Sequence, residues 1–255
     1  MKGIPYERTG PSVFVHGPDV LIDTPEESKL QLDRSRVTRI AAALYSHWHP
    51  DHTAGRRVWE TRNYDFRGWP RAAKSVERTP VYLPERVAAD FREWMGLWDH
   101  FAFLEERQGT VRVHELRDGE TVELGGTTIT PIRLAEDYVY AFLFEEDGVR
   151  ALVAMDELNG WTPPDLGPLD LAYLPLGIHE HDPFTGERLI HEEHPFLRFE
   201  ATYAETLEIV RALAARRTVL SHVEEMDGIS HDVLVRLGAR DGWEPAYDTM
   251  LIAVA

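Results

Sequence analysis

Short apolar runs, each closed by turn-forming residues, mark out the first half of the chain. Val13-Phe14-Val15-His16, a Gly-Pro-Asp turn and Val20-Leu21-Ile22-Asp23 read as two strands and their connection. Ile40-Ala41-Ala42-Ala43-Leu44-Tyr45 is apolar throughout and predicts a buried strand. Val81-Tyr82-Leu83 predicts another, followed by an amphipathic helix from Glu85 to about Trp98. Further strands are expected over 110–116, 120–124, 127–134, 138–145 and 149–155, several parted by the Asp-Gly or Gly-Gly pairs that favour hairpins. Leu171-Ala172-Tyr173-Leu174 is a buried strand ending at Pro175, and 177–198 is polar, rich in His and Pro, and reads as a loop. Thr202 and Glu205 have capping-box spacing, so a helix should open there and run to about Arg216. Val219-Leu220 predicts a strand, 230–237 a helix, and Thr249 to Val254 a last strand. The stretch 55–79, rich in Arg and Trp, fits no element pattern. Strands dominate early and strand–helix alternation late, which predicts stacked sheets flanked by helices rather than a plain doubly wound sheet.

Composition narrows what such a fold can do. With 255 residues, 43% of them hydrophobic, the chain fits one large α/β domain or two small ones; we take it as a single domain, 1–255. The formal charge is −17, from 44 acidic and 27 basic residues. That field repels nucleic acid and anionic lipid at long range, so a small molecule is the expected partner, with a homodimer left open. No stretch approaches the length of a membrane span, and the opening MKGIPYERTG lacks a signal-peptide pattern, so a cytoplasmic location is expected. Cysteine is absent, which excludes disulfides, thiol catalysis and thiolate ligands. Any metal must therefore be held by His, Asp and Glu.

Ser46-His47-Trp48-His49-Pro50-Asp51-His52-Thr53-Ala54-Gly55 supplies such donors at unusual density. Residues two apart on a strand share a face, so His47 and His49 can point the same way as the strand ends. Pro50 stops the strand, and the turn can bring Asp51 and His52 round the other side. Two ligand pairs from one segment suit two adjacent metals, and imidazole with carboxylate suits zinc or manganese, with iron a further option. Asp156 closes the apolar run Ala151-Leu152-Val153-Ala154, and His222 follows Thr218-Val219-Leu220 in the same way. Asp23, Glu224 and Glu225 are candidates to hold the second nitrogen of a ligand histidine.

His47-x-His49-x-Asp51-His52 resembles the HxHxDH signature of the metallo-β-lactamase superfamily of metallohydrolases. Leu21-Ile22-Asp23-Thr24, Val153-Ala154-Met155-Asp156 and Leu220-Ser221-His222 resemble that family's other conserved strand ends, so the likeness spans about 12–255. It implies an α/β fold, a four-layer αββα sandwich, and metal ligation by His47, His49, Asp51, His52, Asp156 and His222. It also implies one or two divalent metals and hydrolysis through a metal-bound hydroxide, with Asp51 essential to catalysis. Within the superfamily the chain is most similar to the cyclic phosphodiesterase branch, of the phosphoribosyl 1,2-cyclic phosphate phosphodiesterase kind. The points of likeness are the strand at 171–174, the histidine-bearing loop, the helix at Thr202 and the closing residues 249–255. That branch takes a loop histidine to the substrate phosphate, here His194, with His191 and His181 behind it. The expected reaction is hydrolysis of a small, cyclic phosphodiester. A thioester or lactone hydrolase, or a metal-binding member without turnover, is the alternative.

The sequence departs from the family at one place. A histidine expected shortly before the Asp156 strand is missing: the stretch Leu134-Ala135-Glu136-Asp137-Tyr138 has Ala135 in its position. Glu136 or Asp137 could replace it, a histidine of 179–194 could reach in, or one metal position could be weak. The cysteine-rich amino-terminal metal site of the branch is absent as well. His16, His100, His114 and His231 are read as structural, and Trp94, Trp98, Phe101 and Phe103 as a packed face. Arg56, Arg57, Arg62, Arg67 and Arg71 are expected to pair with surface carboxylates.

Overall fold

The computed structural model describes residues 3–62, 78–223 and 228–254. The chain divides into two units, Thr9–Gly125 and Met1–Arg8 with Gly126–Ala255.

In the unit Thr9–Gly125, β1 (Val13–Val15), β2 (Val20–Ile22), β3 (Ala42–Leu44), β4 (Thr79–Pro84) and β5 (Val111–Leu116) form one sheet in that order. β1 runs antiparallel to β2, whereas β2 to β5 are parallel. Parallel strands are buried on both faces, which is why Val-Leu-Ile and Ala-Ala-Leu are apolar throughout instead of alternating. The helices α1 (Ser28–Arg34), α2 (Pro50–Thr53), α3 (Val58–Thr61), α4 (Glu85–Glu93) and α5 (Leu97–Phe103) belong to the same unit, as does the short strand β6 (Val122–Leu124). Tyr45, just past β3, anchors its core. Phe91 and Phe101 meet its ring edge-on, each with centroids 5.5 Å away. Trp59 Nε1 donates to the Tyr45 hydroxyl at 2.9 Å, and Thr24 Oγ1 lies 2.7 Å from it.

The single helix predicted from Glu85 to about Trp98 is two helices. Met95 (φ 54°) and Gly96 (φ 61°) take left-handed backbone conformations, which no right-handed helix accommodates. The break changes the phase of the aromatic residues, so the expected packed face is only partly formed. Phe101 is fully buried, Trp94 and Phe103 are 43% and 46% exposed, and Trp98 lies under the Arg92 guanidinium at 3.9 Å. Of the arginines, Arg57 pairs with Glu60 at 3.2 Å. Arg56 and Arg62 instead donate to the carbonyls of Thr53 and Val37. Arg67 and Arg71 lie outside the described residues.

In the other unit, β7 (Thr127–Arg133), β8 (Tyr140–Glu146), β9 (Val149–Val153), β10 (Leu171–Pro175), β11 (Arg217–Ser221) and β12 (Glu244–Pro245) lie in one sheet in the order β12-β11-β10-β9-β8-β7. β7, β8 and β9 make antiparallel hairpins, while β9 to β12 are parallel. α6 (Tyr203–Leu213) and α7 (His231–Asp241) send Ile209, Leu213, Leu234 and Leu237 into a core shared with Leu152 and Leu174. The expected strand from Thr249 to Val254 is absent: those residues form no regular element. β12 already occupies the edge beside β11, through Val219↔Glu244 and Leu220↔Pro245, and Thr249 turns the chain away with φ 64°. No helix among the described residues is long and apolar enough to cross a membrane.

The capping box is present as predicted. Thr202 Oγ1 accepts from the Glu205 N–H at 3.3 Å, and the Glu205 carboxylate accepts from the Thr202 N–H at 2.8 Å. Thr202→Ala removes one half of that pair and is expected to lower stability by about 1 kcal/mol in urea unfolding.

Candidate metal centre

The histidine segment sits at the carboxyl end of β3, next to the carboxyl end of β2. Parallel pairing of Ile22 with Leu44 puts Asp23 beside Ser46, and the Asp23 N–H donates to the Leu44 carbonyl at 3.0 Å. Asp23 takes φ 58°, turning its carboxylate under the loop. Oδ1 accepts from the Ser46 N–H at 2.7 Å; Oδ2 accepts from Ser46 Oγ at 2.6 Å and lies 2.8 Å from His52 Nδ1. Pro50 opens α2, as suits a residue without an N–H, and α2 carries Asp51 and His52 round the turn. Gly55 closes the loop against the segment after β2: its N–H donates to the Thr24 carbonyl at 2.8 Å, and a Cβ there would lie 1.8 Å from the Pro25 carbonyl oxygen. Only glycine allows that approach.

These contacts determine which ring nitrogen offers electrons. A carboxylate only accepts, so His52 Nδ1 carries the proton it shares with Asp23. Ser46 Oγ gives its one proton to Asp23, so His47 Nδ1 must donate to Ser46 Oγ across 2.9 Å. Nε2 is then the electron-pair donor of both rings, the form that binds a metal, held by outer partners as metal-ligating histidines are. The His47 ring lies 4.1 Å from that of His52 and 4.5 Å from that of His49. His52 Nε2 is 3.2 Å from Asp51 Oδ2, so a nitrogen lone pair faces a carboxylate oxygen. Two electron-rich atoms at that distance call for a cation between or beside them, so the donor set fits a divalent metal.

In the other unit, parallel pairing of β9, β10 and β11 brings three carboxyl ends to one end of the sheet. Asp156 follows β9, His222 follows β11 with φ 48°, and Asp156 Oδ1 lies 3.6 Å from His222 Nε2. The pairing of imidazole and carboxylate seen for Asp51 and His52 is thus repeated. The loop after β10 carries the four further histidines. His179 is buried with its ring stacked on Tyr203 at 4.8 Å, whereas His181, His191 and His194 are exposed. Nδ1 of His194 accepts from the Phe196 N–H at 3.3 Å, which leaves the proton of the neutral ring on Nε2. Among the described residues, neither Glu136, Asp137 nor His194 joins a cluster of three ligand atoms. Glu224 and Glu225 lie outside the described residues.

Sequence reasoning passed over Glu157. It is buried, takes φ 47°, and its N–H donates to Asp156 Oδ1 at 2.8 Å. Burial pushes its carboxyl up to about 9 against the opposing hydrogen bond from the Asn159 N–H; the charges of Glu200 and Asp156 push the same way as burial. Burial also raises the Tyr138 phenol, helped by the charges of Glu136, Glu157, Asp156 and Glu200. An acid set between Met155 and Leu158 was the available signal, because a carboxyl among apolar neighbours must be neutral or paired.

The sequence matches the family described as Beta-lactamase superfamily domain over residues 16–223. Among solved structures, a diphosphatase from the PhnP family is 23% identical, with TM-score 0.70 over 98% of this chain and 85% of that one. The short form of human tRNase Z, ELAC1, is 17% identical, with TM-score 0.65 over 99% of this chain and 96% of that one. Zn(2+)-bound PqqB from Methylobacterium extorquens is 14% identical, with TM-score 0.62 over 95% of this chain and 86% of that one. No curated protein matches at the level of sequence. At these identities the structural likeness is one of fold, and the fold is the α/β metallo-β-lactamase type that the motif implied.

Asp23→Ala leaves the buried Ser46 N–H and His52 Nδ1 without their acceptor. It is expected to cost about 3 kcal/mol in urea unfolding and to weaken zinc binding by about 10- to 100-fold in a competition titration.

Proposed function

Since the chain belongs to the β-lactamase superfamily, we propose that it is a metal-dependent hydrolase of small phosphodiesters. The observation that carries this reading is the facing of His52 Nε2 and Asp51 Oδ2 at 3.2 Å, with His52 Nδ1 held by buried Asp23. The proposed ligands are His47, His49, Asp51, His52, Asp156 and His222. With no thiolate in the chain, zinc or manganese fits the set, and iron is also compatible with it. Bound metal supplies a Lewis acid for the phosphoryl oxygens and a water of lowered pKa. The protein orients the rings through Asp23 and Ser46. His194, with its proton on Nε2, donates to the leaving oxygen, and its exposure on the loop after β10 leaves it accessible to substrate. The choice of a phosphodiester over a carbonyl substrate draws support from the PhnP-family diphosphatase and from tRNase Z, both of this fold.

Reconstitution with zinc or manganese, followed by elemental analysis and a panel of phosphodiesters, thioesters and lactones, tests the reading. One to two metals per chain with diester turnover is the expected result. Turnover confined to thioesters or lactones overturns the substrate class. A metal ratio well below one with no turnover overturns the enzyme.

Asp51→Ala is expected to abolish diester turnover; intact turnover rules out the ligand set. His194→Ala is expected to lower kcat by about 100-fold or more, with the largest loss on diesters whose leaving alkoxide most needs a proton.

A further inference from the structure

Trp48 stands between two proposed ligands, His47 and His49, and it is not a core residue. Its ring is only partly covered, and it meets the His49 ring edge-on with centroids 4.7 Å apart. Its backbone is held firmly: Thr53 Oγ1 donates to the Trp48 carbonyl at 3.2 Å and to the His49 carbonyl at 2.9 Å. A second indole, Trp94, stacks on it with centroids 5.3 Å apart and planes inclined by 24°.

Trp94 reaches that place at a cost. α4 stops one residue before it, and the next residue, Met95, takes φ 54°, a conformation that is unfavourable for a side chain without a local hydrogen-bonding group. Trp94 remains 43% exposed and Met95 47% exposed, so burial does not offset that strain. A left-handed residue directly after an exposed indole that stacks on Trp48, the neighbour of His49, points to a task for that ring. The chain's net charge of −17 gives an anionic substrate no long-range attraction, so affinity must come from short-range contact. Stacking on an indole face supplies that without any need for positive charge.

We propose that Trp48 and Trp94 form the subsite for a planar aromatic group of the substrate, so that the phosphodiester hydrolysed here carries a ring of the nucleobase kind. This deepens the hydrolase reading and rests on it for the position of the phosphoryl group. The ring lies against the indole pair, and the phosphodiester reaches the ligand histidines on either side of Trp48 in sequence.

The test uses the zinc-reconstituted full chain and two pairs of probes. Calorimetry compares AMP with ribose 5-phosphate. Kinetics compares 2′,3′-cyclic AMP with glycerol 1,2-cyclic phosphate, which has no ring. AMP is expected to bind about tenfold or more tightly than ribose 5-phosphate, and kcat/KM is expected to favour the ring-bearing diester by a similar factor. Trp94→Leu should abolish both preferences and Trp94→Phe should retain most of each, while Phe103→Leu, an exposed ring on α5, should leave both in place. Equal binding of the two monophosphates, or a preference that survives in both Trp94→Leu and Trp48→Leu, overturns the subsite. Efficient and equal hydrolysis of the two diesters also overturns it while upholding the hydrolase. Retained AMP preference with neither diester hydrolysed upholds the aromatic subsite and removes the phosphodiesterase.

Discussion

The Asp23 carboxylate is sealed from water, and the Ser46 N–H, Ser46 Oγ and His52 Nδ1 take the place of its hydration. Much of the histidine segment's geometry follows from that requirement. A buried carboxylate without donors costs several kcal/mol, so the loop after β3 must stay where its N–H and hydroxyl meet Asp23. The same contacts place the protons of His47 and His52 on Nδ1 and leave their buried Nε2 atoms as electron-pair donors on the side away from Asp23 and Ser46. One side chain therefore ties the end of β2 to the loop after β3 and prepares two imidazoles for a cation.

The surrounding structure keeps that arrangement rigid. Tyr45 lies immediately before Ser46 and is held by Thr24, Trp59, Phe91 and Phe101, so the loop begins from a fully buried residue fixed by hydrogen bonds and ring contacts. Gly55 returns the chain against Pro25 at a distance that no other residue permits. In the other unit Asp156 and His222 use the same device, each leaving a parallel strand at its carboxyl end. Parallel strands align their carboxyl ends, and loops from neighbouring strands meet there, which is where open α/β sheets gather functional side chains.

Much of this was legible in the chain itself. Local patterns showed the apolar central strands, the Asp147-Gly148 hairpin between β8 and β9 and the capping box at Thr202, because each depends on residues a few positions apart. Asp118-Gly119 closes no hairpin, since β5 before it pairs with β4 instead. The ligand motif was legible for the same reason: His47, His49, Asp51 and His52 lie within six positions. The break at Met95–Gly96 was not read, since the residues from Glu85 to Trp98 keep helical spacing across it; Gly96, which takes φ 61°, was the local sign of the stop. The strand expected after Thr249 failed because Glu244 and Pro245 had already taken the edge beside β11, a competition invisible in local alternation.

Sequence alone determined the donor chemistry: imidazoles and carboxylates without thiols, spaced for a turn at a strand end, in a chain too acidic to favour polyanions. Residue identity and spacing along the backbone suffice for that. Tertiary structure decided which nitrogen of each ring carries the proton, that Glu157 is buried beside Asp156, and that Trp94 stacks on Trp48. Those outcomes depend on groups far apart in the chain meeting where water is excluded or partly excluded. In such places a hydrogen bond, a lost hydration shell or a ring face counts for far more than it does along an exposed strand.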